Sequence, residues 1–181
     1  MAFEEDLQHG EIAEEIVYNI LKGYVTQKTK TGLAGLFDVR QLSHAQAGDY
    51  DFAYRTWDNI REIVRLDVKH DSRIGATNNF FIEDMAQMNR TKEIKEGWLH
   101  YSIADFIYYV DEQRELIYIF YLNDMRDYIS KYKCRRGKCY DSNKIMEGYL
   151  VNLIDYSYKY SIDVMDYNGN FLDEGQIAAA F

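Results

Sequence analysis

The chain has 181 residues, enough for one domain with a hydrophobic core of its own, and its 47% hydrophobic and 15% aromatic content excludes a disordered chain. Its 21 basic and 30 acidic side chains give a net charge of −9, which sets the overall field against a polyanion and makes any nucleic-acid partner depend on a local basic surface. No stretch approaches the roughly 20 apolar residues of a membrane helix, and the acidic start MAFEEDLQHGEIAEE lacks the basic-then-apolar order of a secretory signal, so a soluble cytoplasmic protein is expected.

Residues 3–25 read as a helix. Ile12, Ile16 and Ile20 recur every four residues, and Ala13, Val17 and Leu21 form the adjoining row of one broad apolar face. Glu11 and Glu15 fall away from that face, while Glu14 sits at its edge beside Leu21. Gly32 and Gly35 mark a loop over 29–49. DYDFAYRTW (49–57) and REIVRLDVKHD (61–71) then form a β-hairpin turned by DNI (58–60). Side chains two apart on a strand share a face, so Val64, Leu66 and Val68 line one side of 61–71 and Asp67 and Lys69 stand together on the other. NNFFIEDM (78–85) is a third strand, and IADFIYYVD (103–111) and RELIYIFYL (114–122), joined around Glu112 and Gln113, are a fourth and fifth. NDMRDYISKY (123–132) reads as a helix with Asn123 or Asp124 near its cap, and 142–158 as another helix opened by Ser142.

Between those two helices, KYKCRRGKC places Lys131, Lys133, Arg135, Arg136 and Lys138 within eight residues without an acid among them. Such a run is usually a solvated loop, and in an acidic chain it is also where a phosphate backbone would land, with Lys28, Lys30 and Arg40 as the alternative approach. Its two cysteines, Cys134 and Cys139, are too few for a disulfide framework or a four-ligand zinc site and read as free thiols of a reducing compartment. The absence of proline and the 17 tyrosines hint at an AT-rich coding sequence of the phage or mobile-element kind. No repeat or low-complexity linker is present, and the tally of elements is that of an α/β or α+β single domain.

The carboxylates fall in an order with chemical meaning: Glu14 on the first helix, Asp51 on the first hairpin strand, Asp67 with Lys69 on the second. Metal-assisted phosphodiester hydrolysis needs hard oxygen ligands with open positions for water and a phosphate oxygen, which two or three convergent carboxylates supply. A neighbouring lysine can hold or help deprotonate the attacking water and offset charge on the phosphate. Each residue also has a plain reading. Glu14 beside Glu15 is a common surface pair, Asp51 near Gly48 suits a turn, and Asp67 with Lys69 suits an exposed ion pair worth little. His9, His44, His70 and His100 are scattered; His70 points away from Lys69 and reads as structural, as Trp57 and Trp98 read as core.

The ordered set resembles the PD-(D/E)XK nuclease superfamily. YDF (50–52) stands where the family has Pro-Asp, LDVK (66–69) matches the (D/E)XK element, and GEIAEEIVYNIL (10–21) resembles the family's first helix, in which counting from Gly10 reaches Glu14. FFIED (80–84) and SIADFIYYV (102–110) resemble later core strands of resolvase-like and phage-type members. The likeness covers about residues 10–130 and departs from the pattern in Tyr50 for proline and in Asp49, which competes with Asp51 as the ligand. It implies an α/β, restriction-endonuclease-like fold with a central mixed sheet of about five strands flanked by helices. The whole of 1–181 would be a single nuclease-like domain, with 131–181 a helical or strand extension. It also implies Mg²⁺ or Mn²⁺ held by Glu14, Asp51, Asp67 and the backbone carbonyl of Val68, with Lys69 positioning the nucleophilic water. The partner would be DNA, the assembly a homodimer and the activity a structure-selective endonuclease. A reading of a different class uses the −9 charge directly: a non-catalytic, DNA-mimic inhibitor of a host nuclease, whose carboxylates would spread over a surface at phosphate-like spacing.

Overall fold

A computed structural model describes residues 2–26, 33–56, 61–140 and 143–180. Its elements in chain order begin with α1 (Ala2–Thr26), β1 (Leu33–Asp38), α2 (Ser43–Gly48), β2 (Phe52–Thr56), β3 (Val64–His70), α3 (Ile74–Thr77), β4 (Asn79–Met88) and β5 (Ile94–Glu96). They continue with α4 (Trp98–Tyr101), β6 (Phe106–Asp111), β7 (Leu116–Tyr121), α5 (Leu122–Lys131), β8 (Arg135–Tyr140), β9 (Lys144–Asn152), α6 (Leu153–Ser157), β10 (Asp163–Asp166) and α7 (Glu174–Ala180).

The six-stranded sheet runs β1-β2-β3-β6-β7-β10 and is mixed: β3 and β6 pair in parallel while its other neighbours are antiparallel. Helix α1 covers one face. Its row Ala13, Val17 and Leu21 is buried against Phe52, Leu66, Val68, Tyr108, Val110, Ile117 and Ile119, whereas Ile12 is exposed. The alternate side chains of β6 and β7, Ile107, Tyr109, Tyr118 and Phe120, point to the other face and meet Phe80, Ile82 and Val151 of a second sheet together with α5 and α6. Burial on both faces is why these two strands read as continuous apolar runs. The Tyr109 hydroxyl accepts from the Phe81 N–H at 3.0 Å and donates to the Phe81 carbonyl at 3.2 Å, which ties β6 to β4.

The second sheet is antiparallel, in the order β5-β4-β9-β8, and corrects several expectations. A mixed sheet flanked by helices is present, but the described residues form ten strands in two sheets rather than about five in one. The span 142–158 is not a helix. Lys144–Asn152 is a strand paired with both β4 and β8, and only Leu153–Ser157 is helical. Its start is set by Asn152, whose Oδ1 accepts from the N–H groups of Ile154 and Asp155 at 3.1 Å each. Ile145, Met146, Tyr149 and Leu150 suit either period, so partners on both sides decide the outcome. The basic run is likewise not a loop, because Arg135–Tyr140 is the edge strand of this sheet. The loop expected over 29–49 contains a strand and a short helix. At the start of α5, Tyr121 is the cap and contributes no side-chain bond. Lys28, Lys30, Gly32, Trp57, the 58–60 turn and Ser142 lie outside the described residues.

Among the described residues no helix is long and apolar enough to cross a membrane. Close backbone approach fixes the middle of β4. A Cβ at Gly148 would overlap the Ile82 carbonyl oxygen, and one at Gly97 would overlap that of Glu83, at the place where the β4–β9 register shifts between Glu83 and Met85. Gly148→Ala is therefore expected to lower unfolding free energy by about 1–3 kcal/mol in urea denaturation; an unchanged midpoint would mean that the two strands part without strain.

Candidate active site

The β2–β3 register sets the centre of the site. Phe52 faces Leu66, and the Asp51 N–H donates to the Leu66 carbonyl at 2.9 Å, so Asp51 stands across from Asp67 where the two strands begin to part. The Val68 N–H donates to Asp51 Oδ2 at 2.7 Å, and the Asp51 and Asp67 carboxyl groups are close enough for the charge of Asp51 to bear on Asp67. Burial raises the Asp51 pKa, offset in part by the Val68 N–H and the Lys69 charge. Burial also raises Asp67 well above the usual carboxylate range, with the charges of Asp49 and Asp51 adding to the effect.

Asp67 and Lys69 share a strand face, but that face is covered: Asp67 is only 2% exposed. The Lys69 Nζ lies 2.7 Å from Asp67 Oδ2 and 2.9 Å from Asp49 Oδ2, with the Trp98 ring centred 5.4 Å away. Burial alone would pull the ammonium pKa down; the two carboxylates outweigh it and hold the group above its usual value, firmly protonated. The plain reading of an exposed ion pair is thus corrected. Asp49 reaches Lys69 from a left-handed backbone position, φ 50°, that ends α2, and its carbonyl accepts from the Ser102 hydroxyl at 3.0 Å. Of the two neighbouring acids, Asp49 faces the amine and Asp51 stands across from Asp67.

Glu14 enters from α1. Burial raises its pKa first, and the nearby charge of Asp51 adds to that. Arg40 opposes both, with Nη1 donating to Glu14 Oε2 at 3.2 Å and Nη2 2.6 Å from Asp38 Oδ2. The guanidinium lies 5.0 Å from the centre of the Phe52 ring. Glu15 is more exposed and accepts from Asn19 at 3.2 Å. Glu14, Asp51, Asp38 and Arg40 line an open groove of about 940 Å³. Lys69 and Asp49 instead line a cleft of about 530 Å³ with Trp98, Tyr101, Glu83 and Lys144. Asp67 is buried at the strand pair from which both openings are reached.

Asp51, Asp67 and Lys69 therefore come together, and Glu14 joins through Asp51 and their shared groove. The basic run does not join them as one patch. Lys131 pairs with Asp127 at 2.6 Å, Arg136 with Asp84 at 2.6 Å, and Lys138 with Glu147. Arg136 also stacks 4.5 Å from the Tyr149 ring centre. Strand alternation sends Arg135 and Cys139 to the opposite side from Arg136 and Lys138, and Cys139 lines the Lys69 cleft. Sequence reasoning missed Trp98 beneath Lys69 and the hold of Arg40 on Glu14; neither lies within a spacing that marks it, since both arrive through tertiary packing.

The donor atoms of Glu14, Asp51 and Asp67 do not all lie within 4.8 Å of one another, so the three carboxyl groups would have to draw together to share one ion. Burial and the charge of a neighbouring carboxyl group raise the pKa of each. No family model matches the chain, and no curated protein matches it. Among solved structures it is similar to one described as a bacterial homing endonuclease, I-Ssp6803I, at 19% identity and a TM-score of 0.43, over 77% of this chain and 75% of that one. At that distance no property carries across.

Removing one partner of a buried ion pair leaves the other uncompensated. Lys69→Met is expected to cost about 3–5 kcal/mol in denaturant unfolding. Asp67→Asn combined with Lys69→Met should cost clearly less than the sum of the single changes; additivity within about 0.5 kcal/mol would mean that the pair is not coupled.

Proposed function

We propose that this chain is a divalent-metal-dependent deoxyribonuclease of the PD-(D/E)XK type, hydrolysing phosphodiester bonds in DNA. The observation that carries the reading is the placing of Asp51 opposite Asp67 across β2–β3, with Lys69 bonded to Asp67 on the same strand face. A helix followed by an antiparallel three-strand meander and then a parallel strand agrees with it.

Glu14, Asp51, Asp67 and the Val68 carbonyl would hold Mg²⁺ or Mn²⁺. When bound, such an ion polarises a phosphoryl oxygen and lowers the pKa of water. The chain's own groups supply the rest. The Val68 N–H fixes the Asp51 carboxyl. Asp67 and Asp49 keep Lys69 an ammonium, so that it acts as a donor that orients water and balances charge growing on the phosphate. Arg40 holds Glu14 at the rim of the groove. Exposed Lys133 and Arg135, with Lys131, Arg136 and Lys138 in surface ion pairs that phosphate can replace, offer the approach to DNA. A homodimer with one site per chain, and selectivity for DNA structure rather than sequence, belong to the same reading. The turning of Asp49 and Asp67 inward onto one ammonium speaks against a DNA mimic, which needs its carboxylates spread outward.

The test is incubation with supercoiled, linear and four-way-junction DNA in Mg²⁺, Mn²⁺ or chelator. Cleavage should need the metal. Asp51→Asn and Asp67→Asn should each lower the rate by about 10² or more, Glu14→Gln should also lower it, and Glu15→Gln should be nearly silent. Arg135→Ala and Arg136→Ala, on opposite sides of β8, are tested singly; the one that meets phosphate should weaken binding to all sequences alike and reduce the salt slope by roughly 1. Absence of cleavage on every substrate, or cleavage indifferent to chelator, sinks the reading.

A further inference from the structure

We infer that His9, His70 and Glu112 form a second metal site, one that takes a zinc-class transition ion and is separate from the carboxylate cluster. The three residues come from α1, the last position of β3 and the turn after β6. His9 Nδ1 lies 3.1 Å from Glu112 Oε2 and 3.2 Å from its Oε1, and His70 Nε2 lies 3.2 Å from Oε1. All three donor atoms fall within 4.8 Å of one another. The imidazole rings are stacked, with centroids 5.4 Å apart and planes inclined by 9°.

The donor chemistry is specific. Imidazole nitrogen suits Zn²⁺ and its transition-metal neighbours, while Mg²⁺ takes oxygen. Two histidines and one glutamate are a three-ligand set that leaves one tetrahedral position open. Tetrahedral bonds of about 2.0–2.1 Å put neighbouring ligand atoms about 3.3 Å apart. The nitrogen–oxygen separations already match that edge, so the two nitrogens must close together and one ring must turn out of the parallel stack for both lone pairs to meet at the ion. His9 is 44% and Glu112 28% exposed at the side chain, so an ion can enter from solvent. His9 and His70 line the same cleft as Lys69 and Asp49. An ion there would staple the first helix to β3 and to the β6–β7 turn, at the cleft wall.

The competing account is a carboxylate bridging two histidines by hydrogen bonds alone. Binding separates the two, and the readout does not depend on the nuclease reading. The full chain carrying Cys134→Ser and Cys139→Ser, which removes the thiols as ligands, is titrated with ZnCl₂ and with CoCl₂, with and without excess MgCl₂. The expected result is one equivalent bound, a visible absorption band of four-coordinate Co²⁺, a higher melting temperature with Zn²⁺ and no competition by Mg²⁺. His9→Ala, at an exposed position, and Glu112→Gln should each weaken Zn²⁺ binding by about 10-fold or more and abolish the Co²⁺ band, while melting in chelator matches the parent. Failure of the parent to bind, binding of several weak equivalents, or binding that neither variant alters overturns the site.

Discussion

The candidate site depends on keeping an ammonium and three carboxyl groups together where water is scarce. Lys69 balances one charge, yet Asp49, Asp51 and Asp67 lie around it, and Asp67 is nearly sealed. Charges removed from water interact strongly and are costly when unpaired. The excess is relieved in part by the Val68 N–H directed at Asp51. It is not removed, and the pKa values of Asp51 and Asp67 are raised as a result.

The fold spends much of its apolar sequence on holding that arrangement. Leu66 and Val68 lock β3 beneath α1, and the parallel partner β6 is packed on both faces. A slip of one residue in β3 would drive Asp67 and Lys69 into the apolar layer under α1. Tyr109, Tyr118 and Tyr156, all buried, build the opposite layer with Phe80 and Phe120 through edge-on and tilted ring contacts. The tyrosine-rich composition is therefore core material, with hydroxyls such as that of Tyr109 finding backbone partners across the sheets.

What could be read in advance was what local periodicity encodes. Helix α1, the β2–β3 pair, β6, β7 and α5 follow from patterns of period 3.6 or 2 and lie close to the expected bounds. Asp67 and Lys69 were legible as neighbours because strand alternation fixes their shared face. Their burial was not, since it comes from Trp98 and the α2 end, which strand alternation does not encode. The miss at 144–152 has the same root: an apolar segment fitting either period takes its form from β4 and β8. His9 and His70 read as scattered because their meeting at Glu112 requires the first helix to cross the end of β3, which spacing along the chain does not report.

The two openings at the strand pair constrain how a substrate could engage the site on the proposed reading. Asp51 and Glu14 face the groove beside α1, whereas the Lys69 ammonium faces the cleft walled by the second sheet. One phosphodiester can meet both only by lying across the ends of β2 and β3, where Asp51 and Asp67 adjoin. Among the described residues the groove is lined by Glu11, Glu14, Glu15, Asp38 and Asp51 against the cation Arg40, so it repels a polyanion unless a metal ion sits among the carboxylates. The cleft, with Lys69, Arg73 and Lys144 on its walls, does not carry that penalty to the same degree. On the proposed reading a nucleic-acid backbone would be received from the cleft side, with the ammonium toward the incoming phosphate and the carboxylates on the far side of the strand pair.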